Sequence, residues 1–190
     1  MELLSLFPIH VYAAQVDNVE LCQEQISNAV ENSVEFHPTT QWGYSHDLST
    51  KTFGDDHIHD FGLTHLENSI DKSIGMYMNA IGQRKRKYTR TSWFTRNTKG
   101  QFTIVHNHGD ADISGVYWHK TTSEDGNFFF DNPNLAAHSS RIFNHEHLRM
   151  DVPPIEGNLI LFPGWMPHGV YVNETDSKRM SISWNIYLER

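Results

Sequence analysis

The chain has 190 residues, of which 38% are hydrophobic and 20% charged, and carries a formal net charge of −8 at pH 7. That length supports one domain with a sizeable core, and the acidic balance argues against nucleic acid or an anionic membrane as partner, since either would call for a basic face. A single cysteine, Cys22, excludes an intrachain disulfide and a cysteine-rich zinc site and suits a reducing compartment, and no apolar run approaches the roughly 18 residues of a membrane-spanning helix.

Met1 to Ala14 lacks the basic start and long apolar stretch of a signal peptide, so a cytoplasmic protein is expected. Leu6 to Tyr12 reads as a short strand with Pro8 near its start, where proline is tolerated. Val19 to Glu31 reads as a helix with Asp17 or Asn18 as its cap. Residues 33–60 are polar, aromatic and irregular. Leu66, Ile70, Ile74, Met78 and Ile81 then recur at near-helical spacing, which predicts a helix over Leu63 to Ile81 ended by Gly82. The run Arg84-Lys85-Arg86-Lys87 reads as a solvated turn.

From Tyr88 the pattern becomes extended. Thr91 to Arg96, Phe102 to His106, Gly115 to Lys120, Asn127 to Asp131, Asn158 to Phe162 and Ser181 to Leu188 read as strands. Turn-forming residues separate several of them, and the 12% aromatic content suits a β-rich core. The expected fold is mainly β with N-terminal helices, a jelly roll whose helices pack on one sheet face. Within that single domain, residues 1–87 are expected to form a helical support and residues 88–190 the jelly-roll core.

The last strand alternates sharply. Arg179, Ser181, Ser183, Asn185 and Tyr187 share one face, and Met180, Ile182, Trp184, Ile186 and Leu188 share the other. In an open antiparallel sheet the polar face would meet water. In a barrel it would line a cavity while the apolar face packs beneath the helices, and Arg179 with Ser181 favours that arrangement.

The chemistry concentrates in His106-Asn107-His108-Gly109-Asp110, in His168, and in Arg179-Met180-Ser181, which follows His168 by eleven positions. Ligand-type residues two apart share a strand face, and a third can arrive from a distant strand. Three protein ligands leave open coordination positions, as iron(II) oxygenase chemistry requires. A guanidinium fork matches a carboxylate beside such a metal. Two registers are open. His106, His108 and His168 would give an all-histidine triad. Asp110 in place of His106 would give two histidines and a carboxylate, which lowers the charge of an Fe(II) site and is a well-attested geometry.

His57-Ile58-His59 and His145-Glu146-His147 have metal-like spacing but no distal partner, and the first reads as loop and helix cap. His119 is expected to be a packed or surface residue, and Trp93, Tyr117 and Trp118 to be core or pocket lining. Neither a Gly-x-Ser-x-Gly elbow nor a Gly-x-x-x-x-Gly-Lys phosphate loop is present.

Together these residues resemble the 2-oxoglutarate- and iron(II)-dependent oxygenases, whose pattern is His-x-Asp/Glu, a distal His and Arg-x-Ser. More closely the chain resembles a subgroup of small oxygenases of marine bacteria and their phages. That resemblance is carried by Leu6-Phe-Pro8, Gln41-Trp-Gly43, His106-Asn-His108, Ser114-Gly-Val-Tyr-Trp118, Asp125 to Pro133 and Glu156-Gly-Asn-Leu-Ile-Leu-Phe-Pro163 before His168. It implies a double-stranded β-helix. It implies Fe(II) held by His106, His108 and His168, since His-x-His is the subgroup's pattern, and Gly109 would break the strand before Asp110. It further implies 2-oxoglutarate as cosubstrate, paired to Arg179 and Ser181, and converted to succinate and carbon dioxide as a small-molecule or peptide substrate is hydroxylated. A bacterial or phage-encoded cytoplasmic enzyme, with a homodimer among its allowed assemblies, is the corresponding expectation. The alternative is a jelly-roll metal protein or cupin-type enzyme that makes no use of 2-oxoglutarate.

Overall fold

Alternating apolar residues across the C-terminal half pair into two antiparallel sheets, and two amphipathic helices cover the outer face of the larger one. The computed structural model describes residues 7–39, 46–49, 56–134, 136, 139 and 148–189. In chain order the elements are β1 (Tyr12–Gln15), α1 (Val19–Asn32), β2 (Phe36–Thr39), β3 (His46–Ser49), α2 (His57–Asp60), α3 (Thr64–Ala80), β4 (Tyr88–Asn97), β5 (Thr103–His106), β6 (Ile113–Lys120), β7 (Phe128–Asp131), β8 (Arg149–Val152), β9 (Asn158–Pro163), β10 (His168–Val170) and β11 (Arg179–Leu188). The larger sheet has the order β1-β9-β6-β11-β4-β3-β2, and the smaller one β5-β10-β7-β8. This is the expected mainly β architecture, a double-stranded β-helix with its helices to one side.

Helical spacing places Cys22, Ile26 and Ala29 of α1, and Leu66, Ile70, Ile74, Tyr77 and Met78 of α3, on buried faces. They pack with Phe94, Ile113, Tyr117, Leu159, Leu161, Ile182, Trp184 and Ile186 from the sheet in one apolar cluster. The opposite face of the same sheet contributes Val116, Trp118, Ile160 and Phe162 to a second cluster with Phe128 and Phe130 of the smaller sheet. β11 therefore sends Ile182, Trp184 and Ile186 toward the helices and Ser181, Ser183 and Asn185 toward the interior, as expected for a barrel strand. No helix among the described residues is long and apolar enough to cross a membrane.

Four local expectations need correction. The first strand spans Tyr12–Gln15 rather than Leu6 to Tyr12, because pairing with β9 (Tyr12 opposite Leu161, Gln15 opposite Asn158) decides its position; Leu6 lies outside the described residues. The stretch 33–60 is not wholly irregular. It supplies the β2–β3 hairpin, which adds to β4 with Asp47 opposite Arg96. Pro38 is tolerated there because β2 is the sheet edge. His57 and His59 precede α3 but stand in a short helix of their own, α2, rather than in a loop and cap; α2 is anchored by Asp56, whose carboxylate accepts from Arg90 at 2.9 Å and from Ser92 Oγ at 2.7 Å. β8, for which the sequence offers no strand pattern, is held on β7 by its ladder and by the Arg149–Asp131 ion pair at 2.6 Å. The N-terminal region is thus more than a helical support, since β1, β2 and β3 belong to the larger sheet.

Candidate metal centre

The smaller sheet positions the histidines. β5 and β10 run antiparallel with His106 opposite His168. β5 ends at His106, and Gly109 turns the chain with a φ of +54°. That conformation comes easily only to glycine. The His108 amide donates to Gly164 O at 2.9 Å, which fixes the turn against the loop before β10. The three imidazoles converge. Ring centroids lie 4.4 Å apart for His106 and His168, 5.1 Å for His106 and His108, and 5.0 Å for His108 and His168. One nitrogen from each falls within 4.8 Å of the others.

Two rings are aimed by the backbone. His106 Nδ1 donates to Ile104 O at 2.9 Å and His168 Nδ1 to Met166 O at 2.8 Å, the tautomers being assigned from these bonds. Each Nε2 is left with a lone pair, the usual arrangement for a metal-binding histidine. Burial disfavours the charged imidazolium, so His106 is held below its ordinary range, His168 well below it, and His108 falls to about 3. All three are therefore neutral at pH 7. Phe162 and Phe128 stand 4.8 and 5.4 Å from the His168 ring, and Trp93 lies 5.6 Å from His108. A trio of neutral nitrogen donors in an apolar surround fits a divalent first-row metal.

Asp110 lies exposed on the turn after Gly109 and outside the trio. His57 is buried edge-on to Phe61 at 5.5 Å, while His59 is exposed beside Glu67. His119 is buried at the α1 side of β6. Tyr117 and Trp118 are core, whereas Trp93 is only partly buried. His145 and His147 lie outside the described residues.

Arg179 begins β11 and is only 3% exposed. Its Nη1 donates to Asp125 O at 2.6 Å and Gly126 O at 2.8 Å, while its Nη2 is buried without a hydrogen-bond partner among the described residues. Burial draws its pKa down to about 10, so it stays cationic at pH 7. A buried guanidinium with one idle donor edge fits an arriving carboxylate. Ser181 follows on the same strand face.

Two contributors were missed in the sequence. Asp125 fixes the loop that holds Arg179. Its carboxylate accepts from Thr122 N (2.8 Å), Thr122 Oγ1 (2.6 Å), Thr175 Oγ1 (2.9 Å) and Ser177 Oγ (2.5 Å). Burial pushes this carboxyl up, but its donors outweigh that and hold it below the usual range. The Asp-Gly turn was the available signal. Asn185 touches both Ser114 and His108, and its place on the polar face with Arg179 was the hint.

A family profile described as "Putative 2OG-Fe(II) oxygenase" matches residues 91–185, half of the chain. No curated protein matches the sequence. Among solved structures, a Pseudomonas putida prolyl-4-hydroxylase is similar with a TM-score of 0.65 at 13% identity, covering 96% of this chain and 94% of that one. A Trichoplax adhaerens prolyl hydroxylase, in complex with a hypoxia-inducible-factor peptide fragment, has a TM-score of 0.64 at 16% identity over 93% and 83% of the two chains. HygX from Streptomyces hygroscopicus, with nickel and 2-oxoglutarate bound, has a TM-score of 0.60 at 11% identity over 94% and 82%.

Proposed function

Because the chain belongs to the 2OG-Fe(II) oxygenase family and so is a 2-oxoglutarate-dependent oxidoreductase, we propose that His106, His108 and His168 hold its iron and that Arg179 with Ser181 anchors its cosubstrate. The carrying observation is the pairing of three convergent neutral imidazoles with a buried, half-idle guanidinium. Iron(II) with bound 2-oxoglutarate would activate dioxygen, the four-electron oxidant; two of those electrons come from 2-oxoglutarate, giving succinate and carbon dioxide, and two from the substrate.

The chain's own residues bind, orient and exclude water. His106 and His168 present Nε2 because the backbone carbonyls at Ile104 and Met166 occupy Nδ1. Arg179 offers the distal carboxylate its unpartnered Nη2 while Asp125 O and Gly126 O fix the rest of the fork. Phe128, Phe162 and Trp93 keep the surround apolar, which strengthens each of these interactions. Three neutral ligands leave both iron charges uncompensated and Arg179 adds a third, so the site favours a dianion, which 2-oxoglutarate is.

The oxidised substrate is a small molecule or a peptide, with partly exposed Trp93 beside His108 as the surface on which it packs. Proteins of this fold are seen with both classes, a prolyl hydroxylase with a peptide and HygX with hygromycin B. The lone cysteine, buried in α1, supports a cytoplasmic setting. The test is succinate release from 2-oxoglutarate with Fe(II), screened over prolyl and other peptides, nucleosides, aminoglycosides and small metabolites. Fe(II)-dependent release, stimulated by one class and lost in His168→Ala, is expected. Release that persists in His168→Ala would refute the ligand assignment.

A further inference from the structure

We propose that Asn97 is a further binding residue for the cosubstrate, its side-chain Nδ2 donating to one oxygen of the distal carboxylate while Arg179 donates to the other. This rests on Arg179 being the cosubstrate anchor. Asn97 ends β4 as the direct cross-strand partner of Arg179, the first residue of β11. Directly opposed residues project from the same sheet face, with Cβ atoms about 4.5–5.5 Å apart. That face is the interior one, because Trp93, which shares it with Asn97 on β4, stands 5.6 Å from His108. Asn97 is only 2% exposed, and its Nδ2, like Arg179 Nη2, is buried without a hydrogen-bond partner among the described residues.

A buried donor left unpaired costs stability, so nearly all find an acceptor. Two such donors on facing residues point to a single ligand between them, because both strand ends are pinned. Asn173 Nδ2 donates to Asn97 O at 3.1 Å and to Ser177 O at 2.9 Å, which ties the end of β4 to the turn that leads into β11. Gly100 N donates to Asn173 O at 2.7 Å, and Asn173 N to Gln101 O at 2.9 Å. Asp125 O and Gly126 O hold the other edge of the guanidinium. The facing pair carries one positive charge and offers a donor from each side. Its complement is a monoanion with two acceptor oxygens in one plane, which is a carboxylate. A phosphate would bring a third terminal oxygen and further charge that the pair does not match.

The test uses the full chain loaded with Zn(II), titrated calorimetrically with 2-oxoglutarate and with 2-oxopentanoate, in which a methyl group replaces the distal carboxylate. Asn97→Ala should weaken 2-oxoglutarate by about 10- to 150-fold, the loss of one hydrogen bond to a charged group, and leave 2-oxopentanoate unchanged. Asn97→Ser, close to alanine in size but keeping a donor, should recover part of the loss, which a packing role would not give. Should the variants fail to fold, proton–nitrogen NMR of the wild type decides: the Asn97 side-chain amide should shift on saturation with 2-oxoglutarate and not with 2-oxopentanoate. An unmoved amide overturns the proposal, as does equal weakening of both acids in Asn97→Ala. Unchanged 2-oxoglutarate binding in Asn97→Ala would assign the amide to water, and tighter binding would mean that Oδ1 engages Arg179 and competes with the ligand; either overturns the proposal. Loss of 2-oxoglutarate in Arg179→Met would still leave the anchor standing, whereas full binding there overturns both.

Discussion

Arg179→Met keeps most of the side chain's apolar stem and removes its charge and donors. In the wild type Nη1 is already committed to Asp125 O and Gly126 O, and Nη2 is buried and unpartnered. The cosubstrate carboxylate would therefore lose a desolvated, charge-assisted partner. Removing one side of such a pair costs on the order of 2–5 kcal/mol, or about 30- to 5,000-fold in Kd at roughly 1.4 kcal/mol per decade. A ligand at 100 times its Kd stabilises a protein by about 2.7 kcal/mol, which in a chain of this size raises Tm by roughly 5–11 °C. At that concentration a 30-fold weaker variant would gain only about 0.9 kcal/mol, and a 5,000-fold weaker one essentially none. The assay is anaerobic calorimetric titration of metal-loaded protein with 2-oxoglutarate, paired with Tm shifts. Arg179→Lys should fall between the two, because an ammonium lacks the planar fork that meets carbonyls and carboxylate together. Equal affinity and equal Tm shift in wild type and Arg179→Met would refute the cosubstrate anchor, provided the variant still binds metal.

Register is the next expectation: Asp110→Ala should keep Fe(II) affinity within a few-fold, while His106→Ala should lose it, and equilibrium dialysis would reverse the assignment if the outcomes were exchanged. The pH dependence of the metal-free protein follows from four histidines that burial holds below the ordinary value, His106, His108, His168 and His119, the last at about 4. The unfolded chain takes up protons below about pH 6.5 while the native state does not, so stability should fall as pH drops from there toward 4, each histidine contributing at most about 1.4 kcal/mol per pH unit; urea midpoints that stay flat between pH 7 and 5 would contradict this. Gly126→Ala should cost on the order of 1–3 kcal/mol, because φ is +88° and a Cβ would sit 2.6 Å from Tyr171 O. Its urea midpoint should drop without a change in m, and 2-oxoglutarate binding should weaken with it because Gly126 O holds Arg179.

What was legible in the sequence had a local cause. The helices α1 and α3 were visible because 3.6-residue periodicity is a property of one segment. β11 was legible on both faces because its alternation runs through all ten residues. What escaped depended on partners far away in sequence. β1 takes its position from β9, β8 from β7, and the hairpin β2–β3 from β4, and none of these short segments has a strong pattern of its own. Asn18 does occupy the N-cap of α1, but with a φ of 53° and no side-chain cap bond. In the candidate site, His106, His108, His168, Arg179 and Ser181 could be proposed from spacing and resemblance. Asp125 could not, because its role is to tie Thr175 and Ser177 to its own loop across a gap of some fifty residues that no spacing rule spans.

The two-sidedness of β11 has a consequence for how this protein can change over generations. Its interior row carries Arg179, Ser181, Ser183 and Asn185, and its outer row fills the helix-facing core with Ile182, Trp184 and Ile186. Point substitutions can alter either row alone. Loss or gain of a single codon cannot, because sliding the strand by one residue exchanges the rows. An isoleucine or tryptophan would then face the histidines and an arginine or asparagine the helices. The length of the segment from Arg179 to Ile186 is therefore locked by chemistry on one side and by apolar packing on the other.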